Sequence, residues 1–104
     1  MYVPRAFVRR AEFEAAVDEA ARKLAPQVVS IVPSYDYDWT GEPSVFFKVT
    51  LAEPPLPGGG APLTTSRISW EIVQHVAPVE EWGVLPYFSY RREPARSKLE
   101  RIPA

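Results

Sequence analysis

Residues 44–52 alternate in polarity with the two-residue period of a β-strand. One face carries four apolar side chains: Val45, Phe47, Val49 and Leu51. The opposite face carries Phe46, Lys48 and Thr50. A sheet face that meets only water has no use for a phenylalanine, so Phe46 indicates that this second face is also covered. We therefore expect a strand that its own helices shelter on one side and a neighbouring molecule shelters on the other.

A partner strand precedes this segment. Residues 28–32 contain four β-branched residues, which pack well on a pleated surface. Pro33 cannot donate a hydrogen bond to a sheet, so it should place the end of this strand at an edge or a bulge. Residues 36–43 are rich in turn-forming residues. The economical interpretation is an antiparallel hairpin.

Residues 11–25 predict an amphipathic helix. Phe13, Val17, Ala20 and Leu24 recur at three- and four-residue spacing. Pro26 should end this helix, because its ring disfavours helical geometry at the preceding residue. Residues 1–10 leave two possibilities, a helical first turn that includes Pro4 or a separate arm rich in arginine.

Residues 64–77 fit two structures. Ile68, Ile72 and Val76 recur at helical spacing, whereas Ile68, Trp70 and Ile72 alternate as in a strand. We favour the helix, because three hydroxyl residues at positions 64–66 can cap its start and Pro78 closes it at helical length. Residues 85–91 then predict a third strand.

The predicted order is therefore α-β-β-α-β. This order is typical of a two-layer α+β fold, a three-stranded sheet with helices on one face, in which the third strand adds at an edge. The 104 residues suffice for a single α+β domain, residues 1–104. Within it we expect a mobile loop rich in proline and glycine at residues 52–63 and a polar C-terminal tail at residues 92–104.

The composition excludes several functions. The chain has no cysteine, so it cannot form a disulfide, a zinc–thiolate site or a cysteine nucleophile. Its net charge of -1 creates no field that would draw the whole molecule to nucleic acid or anionic lipid. No apolar run reaches the roughly 20 residues of a membrane span, and the first residues do not resemble a signal peptide. We therefore expect a cytoplasmic protein that does not bind a membrane.

Candidate catalytic groups are few. His75 is the only histidine, so at most one base is available to a catalytic triad, and on the helical interpretation it faces solvent. Asp36, Asp38 and Glu42 could bind calcium or magnesium, but the further acids of a calcium loop are missing and a hydrogen-bonded turn is favoured. We assign no catalytic residue, no metal and no cofactor. A metal-dependent enzyme is the least favoured of three hypotheses.

Aromatic side chains cluster around the predicted turn. The predicted interface consists of Tyr35, Asp36, Tyr37, Asp38, Trp39 and Phe46. Tyrosine and tryptophan are enriched in interface hot spots, because they bring large, stiff, amphipathic area at low entropic cost. The alternative is that the chain covers both faces of the sheet itself. Otherwise an open edge and an apolar patch predict a homodimer or a protein partner.

Basic residues cluster near the C-terminus. The predicted patch consists of Arg91, Arg92, Arg96, Lys98 and Arg101. If the arginines at positions 5, 9 and 10 joined it, the patch could bind phosphates while Tyr87, Phe88 and Tyr90 stack on bases. The order α-β-β-α-β is also similar to the bacterial type of KH domain, although the GXXG clamp is missing. A solvated tail is commoner for such a charge run, so nucleic-acid binding is the second hypothesis.

Two stretches carry a resemblance. Residues 38–47, DWTGEPSVFF, fit the pattern D-W-[ST]-G-x-P-x-x-F-F, and residues 86–91, PYFSYR, fit P-Y-F-x-[FY]-R. Together they resemble a group of small bacterial proteins for which no activity is established. The resemblance implies a helix-hairpin-helix-strand layout and nothing about catalysis. Our first hypothesis is a non-catalytic interaction protein, acting through the sheet and its turn as the accessory subunit of a bacterial operon partner.

Overall fold

The computed structural model describes residues 3–53 and 62–93. In these ranges the elements are α1 (Arg5–Val8), α2 (Arg10–Lys23), β1 (Val28–Tyr37), β2 (Pro43–Ala52), α3 (Thr65–Val76), α4 (Pro78–Trp82) and β3 (Leu85–Glu93). The predicted α+β class is confirmed. The predicted mobile loop and polar tail fall mostly on residues 54–61 and 94–104, which lie outside the described residues. None of the helices in the described ranges is long and apolar enough to cross a membrane.

The strands form one mixed sheet in the order β1-β2-β3. β1 and β2 pair in the antiparallel direction, as predicted for the hairpin, with Tyr35 opposite Val45. β3 adds to the other side of β2 in the parallel direction, with Phe88 opposite Phe47. A parallel neighbour needs a crossover connection, and α3 and α4 lie within it. The central strand is therefore β2, and β3 lies at an edge as expected.

An apolar core joins the helices to one face of the sheet. Phe13 of α2 is fully buried, and its ring stacks on that of Phe47 with 6.2 Å between centroids. Ile68 and Ile72 of α3 are also fully buried. The four residues predicted to share the inner face of β2 are buried as well: Val45, Phe47, Val49 and Leu51. Each such side chain contributes about 1.5–3 kcal/mol of burial free energy, so this face holds the helices in place.

β1 is longer than the sequence predicts. It continues through Pro33 to Tyr37, so the turn comprises only residues 38–42. Pro33 pairs in register with Phe47 on an edge strand, where part of the backbone has no ladder partner and a missing N–H is tolerated. The predicted edge position of Pro33 is thus correct, and the predicted end of the strand is wrong.

Residues 65–76 form the helix that we favoured for this segment. The hydroxyl of Thr64 accepts a 3.1 Å hydrogen bond from the backbone N–H of Arg67, which satisfies one of the free donors at the helix start. Ala77 ends α3 in the left-handed conformation, with φ at 51°, and Pro78 begins α4 directly. The sequence does not predict α4, because five residues are too few to show a helical period.

The N-terminal segment packs against the rest of the protein and is not a separate arm. Pro4 immediately precedes α1, and Ala6 within it is fully buried. The guanidinium of Arg5 lies over the ring of Trp82 in α4, 5.3 Å from its centroid. Part of this segment is therefore helical, but Pro4 lies before the helix as its N-cap and Arg9 separates α1 from α2.

Candidate binding surface on the open face of the sheet

The side of the sheet turned away from the core is solvent-facing. Strand register and the alternation of side chains place on it Val32, Ser34 and Asp36 of β1, Phe46 and Lys48 of β2, and Tyr87, Ser89 and Arg91 of β3. We call these residues, together with Trp39 of the adjoining turn, the open face. Phe46 and Tyr87 are half-buried, and the other members are exposed, whereas Ser44 and Thr50, which alternate onto the same side of β2, are buried. The ring of Phe46 therefore lies outside the core, as the alternation of β2 predicts.

Three aromatic rings form a row on the open face. Phe46 and Tyr87 are register partners, and their rings stack with 5.2 Å between centroids and 16° between planes. Trp39 continues the row from the turn, 5.5 Å from the ring of Tyr87. Trp39 is 81% exposed, the highest value among the exposed large hydrophobic side chains of the described residues. A shallow hollow of about 80 Å³ adjoins Phe46, Tyr87 and Ser89.

Asp38 fixes the turn that carries Trp39. Its Oδ1 accepts hydrogen bonds from the backbone N–H of Thr40 at 2.9 Å, from the Thr40 hydroxyl at 2.6 Å and from the backbone N–H of Glu42 at 3.0 Å. Its Oδ2 accepts a 2.7 Å hydrogen bond from the hydroxyl of Tyr87. The turn is therefore tied to β3, the strand at the far edge of the sheet.

These hydrogen bonds stabilise the ionised form of Asp38. The Thr40 hydroxyl contributes most and the Tyr87 hydroxyl next, and together they hold the pKa of the carboxyl well below its ordinary value. The same bond to Asp38, with burial as a smaller cause, raises the pKa of Tyr87. Asp38 thus acts as a negatively charged clamp for the turn at neutral pH.

The metal alternative for these carboxylates finds no support in their contacts. Both oxygens of Asp38 already accept hydrogen bonds, and Oδ1 of Asp36 accepts one from the backbone N–H of Tyr37 at 2.7 Å. Among the residues that the structure describes, no group of three or more His, Asp or Glu side chains could hold a metal ion. The hydrogen-bonded turn that we favoured accounts for the contacts of Asp38.

The predicted interface residues do not all share one face. Tyr35 lies on the core side, where its ring meets that of Phe13 at 5.9 Å and its hydroxyl donates a 2.8 Å hydrogen bond to Glu14. Burial raises the pKa of Tyr35, and the Glu14 carboxylate raises it further. Tyr37 also turns to the core side, with its ring 5.7 Å from that of Phe7. Of the predicted set, Asp36, Trp39 and Phe46 belong to the open face, and Asp38 supports it from the turn.

The prediction that His75 faces solvent is wrong, because His75 lies between α2 and α3. It lies three residues after Ile72 and so shares its side of α3, which meets α2. Its Nε2 is 3.4 Å from a carboxylate oxygen of Glu19 in α2. The two helices enclose a surface pocket of about 270 Å³ next to His75, lined also by Lys23 and Glu71. His75 therefore belongs to a helix–helix contact.

The predicted basic patch is only partly described. Arg91 lies on the open face, whereas Arg92, one position on, takes the opposite side of β3. Its other members, Arg96, Lys98 and Arg101, lie outside the described residues. At the other end of the chain, Arg10 lies over the ring of Tyr35, 4.4 Å from its centroid, near the turn end of the sheet. The described parts of the two clusters therefore occupy opposite ends of the strands.

Tyr87 is the site residue whose role the sequence analysis misses. Its neighbours Phe88 and Tyr90 point to the core side, where Phe88 stacks on Phe47 at 5.2 Å and the Tyr90 hydroxyl donates a 3.1 Å hydrogen bond to the carbonyl of Thr65. Because aromatic residues occur on both faces of β3, alternation alone does not tell which of them is solvent-facing. The sequence separation of Tyr87 from Phe88 and from Tyr90 is an odd number of residues, so its side chain points to the opposite face of the strand. Once either of those two residues is placed in the core, Tyr87 is predicted to be solvent-facing.

Comparison of the chain with protein-family models, with curated proteins and with the solved structures yields no match in any of the three. The resemblance carried by residues 38–47 and 86–91 therefore stays a prediction. The structure gives both stretches a physical role of their own: the first forms the turn and enters β2, and the second is the body of β3. Their point of contact is the hydrogen bond between Asp38 and Tyr87.

Proposed function

We propose that this protein is a non-catalytic interaction module that binds a protein partner through the open face. The observation that carries the proposal is the row of Trp39, Tyr87 and Phe46, which the Asp38 clamp holds on a solvent-facing sheet. We infer a bacterial cytoplasmic setting and the role of an accessory subunit, as expected from the sequence.

The energetics of the row favour binding. Trp39 gains little from folding in its present position, because it is 81% exposed, and Phe46 keeps part of its ring in contact with water. Covering such rings releases about 25 cal/mol per Å² of apolar surface removed from water. The row is also pre-organised by ring stacking and by the Tyr87–Asp38 hydrogen bond, so a partner spends little free energy on ordering it.

The proposal is tested by purifying the tagged protein from its native cells. Wild-type protein should retain a stoichiometric partner, and Trp39→Ala and Phe46→Ser should lose it. The matched control is Trp70→Ala, because Trp70 is 50% exposed and lies on α3, with Arg67 over its ring at 4.7 Å. Retention of the partner by Trp39→Ala and its loss from Trp70→Ala would refute the proposal.

Single-stranded nucleic acid is the second candidate ligand. Lys48 and Arg91 both lie to one side of the stacked rings of Phe46 and Tyr87 along the strands, an arrangement that can hold bases and phosphates. As in a KH domain, a pair of helices, α3 and α4, lies between the hairpin and the last strand. The two helices are joined at Ala77-Pro78, however, and this junction has no GXXG clamp. The 260/280 absorbance ratio of the native preparation, and release of nucleic acid by salt, test this candidate.

A further inference from the structure

The charges of the open face are arranged symmetrically about Phe46. Asp36 pairs with Ser44, two residues before Phe46, and Lys48 lies two residues after it. Arg91 pairs with Thr50 at the basic end, and the ring of Trp39 lies beside that of Tyr87, which is level with Phe46. The charges of such a surface are complementary to those of a second copy whose strands run in the opposite direction.

We propose that the partner of the open face is a second copy of this chain, stacked face to face with its strands antiparallel to those of the first. This inference rests on the proposed function, because it names the partner for the same surface. The two-fold axis lies in the plane between the sheets, perpendicular to the strands, at the level of Phe46. Such an interface is isologous, and each contact in it occurs twice.

The symmetry defines the contacts. Phe46 and Tyr87 of the two copies meet near the axis and bury their rings against each other. Asp36 of one copy faces β1 of the other copy at the level of Lys48. Lys48 lies on the neighbouring strand, about 4.8 Å to the side, so its side chain can reach the carboxylate of Asp36. Trp39, whose ring lies 5.5 Å from that of Tyr87, adds to the aromatic contacts near the axis. Aligned sheets pack about 10 Å apart, which leaves room for these side chains.

The charge balance favours a second copy over a polyanion. The positive charges of Lys48 and Arg91 are balanced by the negative charge of Asp36 on the same face and by that of Glu42, which is exposed in the adjoining turn. A nucleic acid laid along the face would meet acidic groups at one end, whereas an inverted copy meets opposite charge at both ends. The parallel stacking of two copies about an axis along β2 is disfavoured, since it would bring Lys48 onto Lys48.

Sedimentation equilibrium of the purified wild-type chain tests the inference. The wild type should form a concentration-dependent dimer. Lys48→Asp should weaken the dimer about tenfold, because it sets like charges against each other at two symmetric positions. Asp36→Lys should do the same, and the double variant D36K/K48D should return to within about threefold of the wild type. A double variant as weak as the single ones would overturn the antiparallel arrangement.

Cross-linking gives a second, independent measurement, since the chain has no cysteine of its own. Ser34 pairs with Phe46 and so lies at the level of the axis, whereas Ser89 pairs with Lys48. In the dimer, Ser34→Cys should be joined to its copy by a short bismaleimide, and Ser89→Cys should react far more slowly, because its copy is displaced by about 13 Å along the strands. Equal cross-linking of both variants would contradict the arrangement.

The failure of this inference is distinguishable from failure of the proposed function. A wild-type chain that stays monomeric at the highest attainable concentration overturns the second copy as partner. If Trp39→Ala still removes a different protein from the native preparation, the open face keeps its proposed function. Binding of single-stranded RNA that is lost from Phe46→Ser would overturn both.

Discussion

The hydroxyl of Tyr87 donates a 2.7 Å hydrogen bond to the carboxylate of Asp38 and so connects the two edges of the sheet across its central strand. Asp38 follows the last residue of β1, and Tyr87 is the third residue of β3. The bond joins residues 49 positions apart, so it forms only when the whole sheet is in register. It determines where the turn lies and therefore where Trp39 is presented.

Removing the hydroxyl of Tyr87 should loosen the turn without changing the core. We expect Tyr87→Phe to lower Tm by about 2–5 °C, because Oδ2 of Asp38 loses its partner while the ring stack on Phe46 is kept. Thermal unfolding followed by circular dichroism measures the shift. Tyr37→Phe makes the same chemical change on a ring that is 51% exposed and should leave Tm almost unchanged.

The Asp38 clamp should make stability depend on pH in the acid range. The folded-state pKa of Asp38 is lowered, so its stabilising effect is complete above the unfolded-state pKa of about 3.9 and is lost as pH falls below that value. Urea unfolding between pH 7 and pH 2 should therefore show a steeper acid loss of stability for the wild type than for Asp38→Asn. Parallel pH profiles of the two proteins would show that Asp38 is not held in its ionised form by the fold.

Tyr35 should make the stability of the fold depend on pH in the alkaline range. Its folded-state pKa is raised by burial and by Glu14, so its contribution is complete below the unfolded-state pKa of about 10 and is lost as pH rises above it. The difference in unfolding free energy between wild type and Tyr35→Phe should stay constant from pH 7 to pH 9 and shrink beyond pH 10. A difference that grows with pH would contradict the assignment.

Phe13 joins α2 to the sheet. It is fully buried, and its ring contacts Tyr35, Phe47 and Trp82. Phe13→Ala should cost about 3–5 kcal/mol of unfolding free energy, a large part of the stability of a small domain. Val8→Ala, at a side chain that is 66% exposed, should change it by less than about 0.5 kcal/mol. Equal effects in urea unfolding would contradict the core described above.

Elements with a strong local signal could be predicted from the sequence. The alternation of residues 44–52 predicts the central strand, and the helical spacing around Phe13 predicts α2, which begins at Arg10 and ends at Lys23. Features set by tertiary context could not be predicted. Pro33 lies inside a strand because that strand is an edge, and α4 depends on the conformation of Ala77.

The candidate site was predictable in part for the same reason. The exposed position of Phe46 follows from local alternation within one strand. The separation of Tyr35 from Trp39 depends on β1 continuing to Tyr37, which places Tyr35 over the core. The role of Tyr87 depends on a parallel pairing with β2 that no local pattern encodes.

The central claim is that a partner covers the open face, and the two exposed tryptophans test it within one molecule. Hydroxyl-radical footprinting should compare the free chain, diluted until it is monomeric, with the complex that it forms with a second copy or with a partner from native cells. The account predicts that Trp39 is protected in the complex while Trp70, on α3, reacts as in the free chain. Protection of Trp70 with undiminished labelling of Trp39 would contradict it.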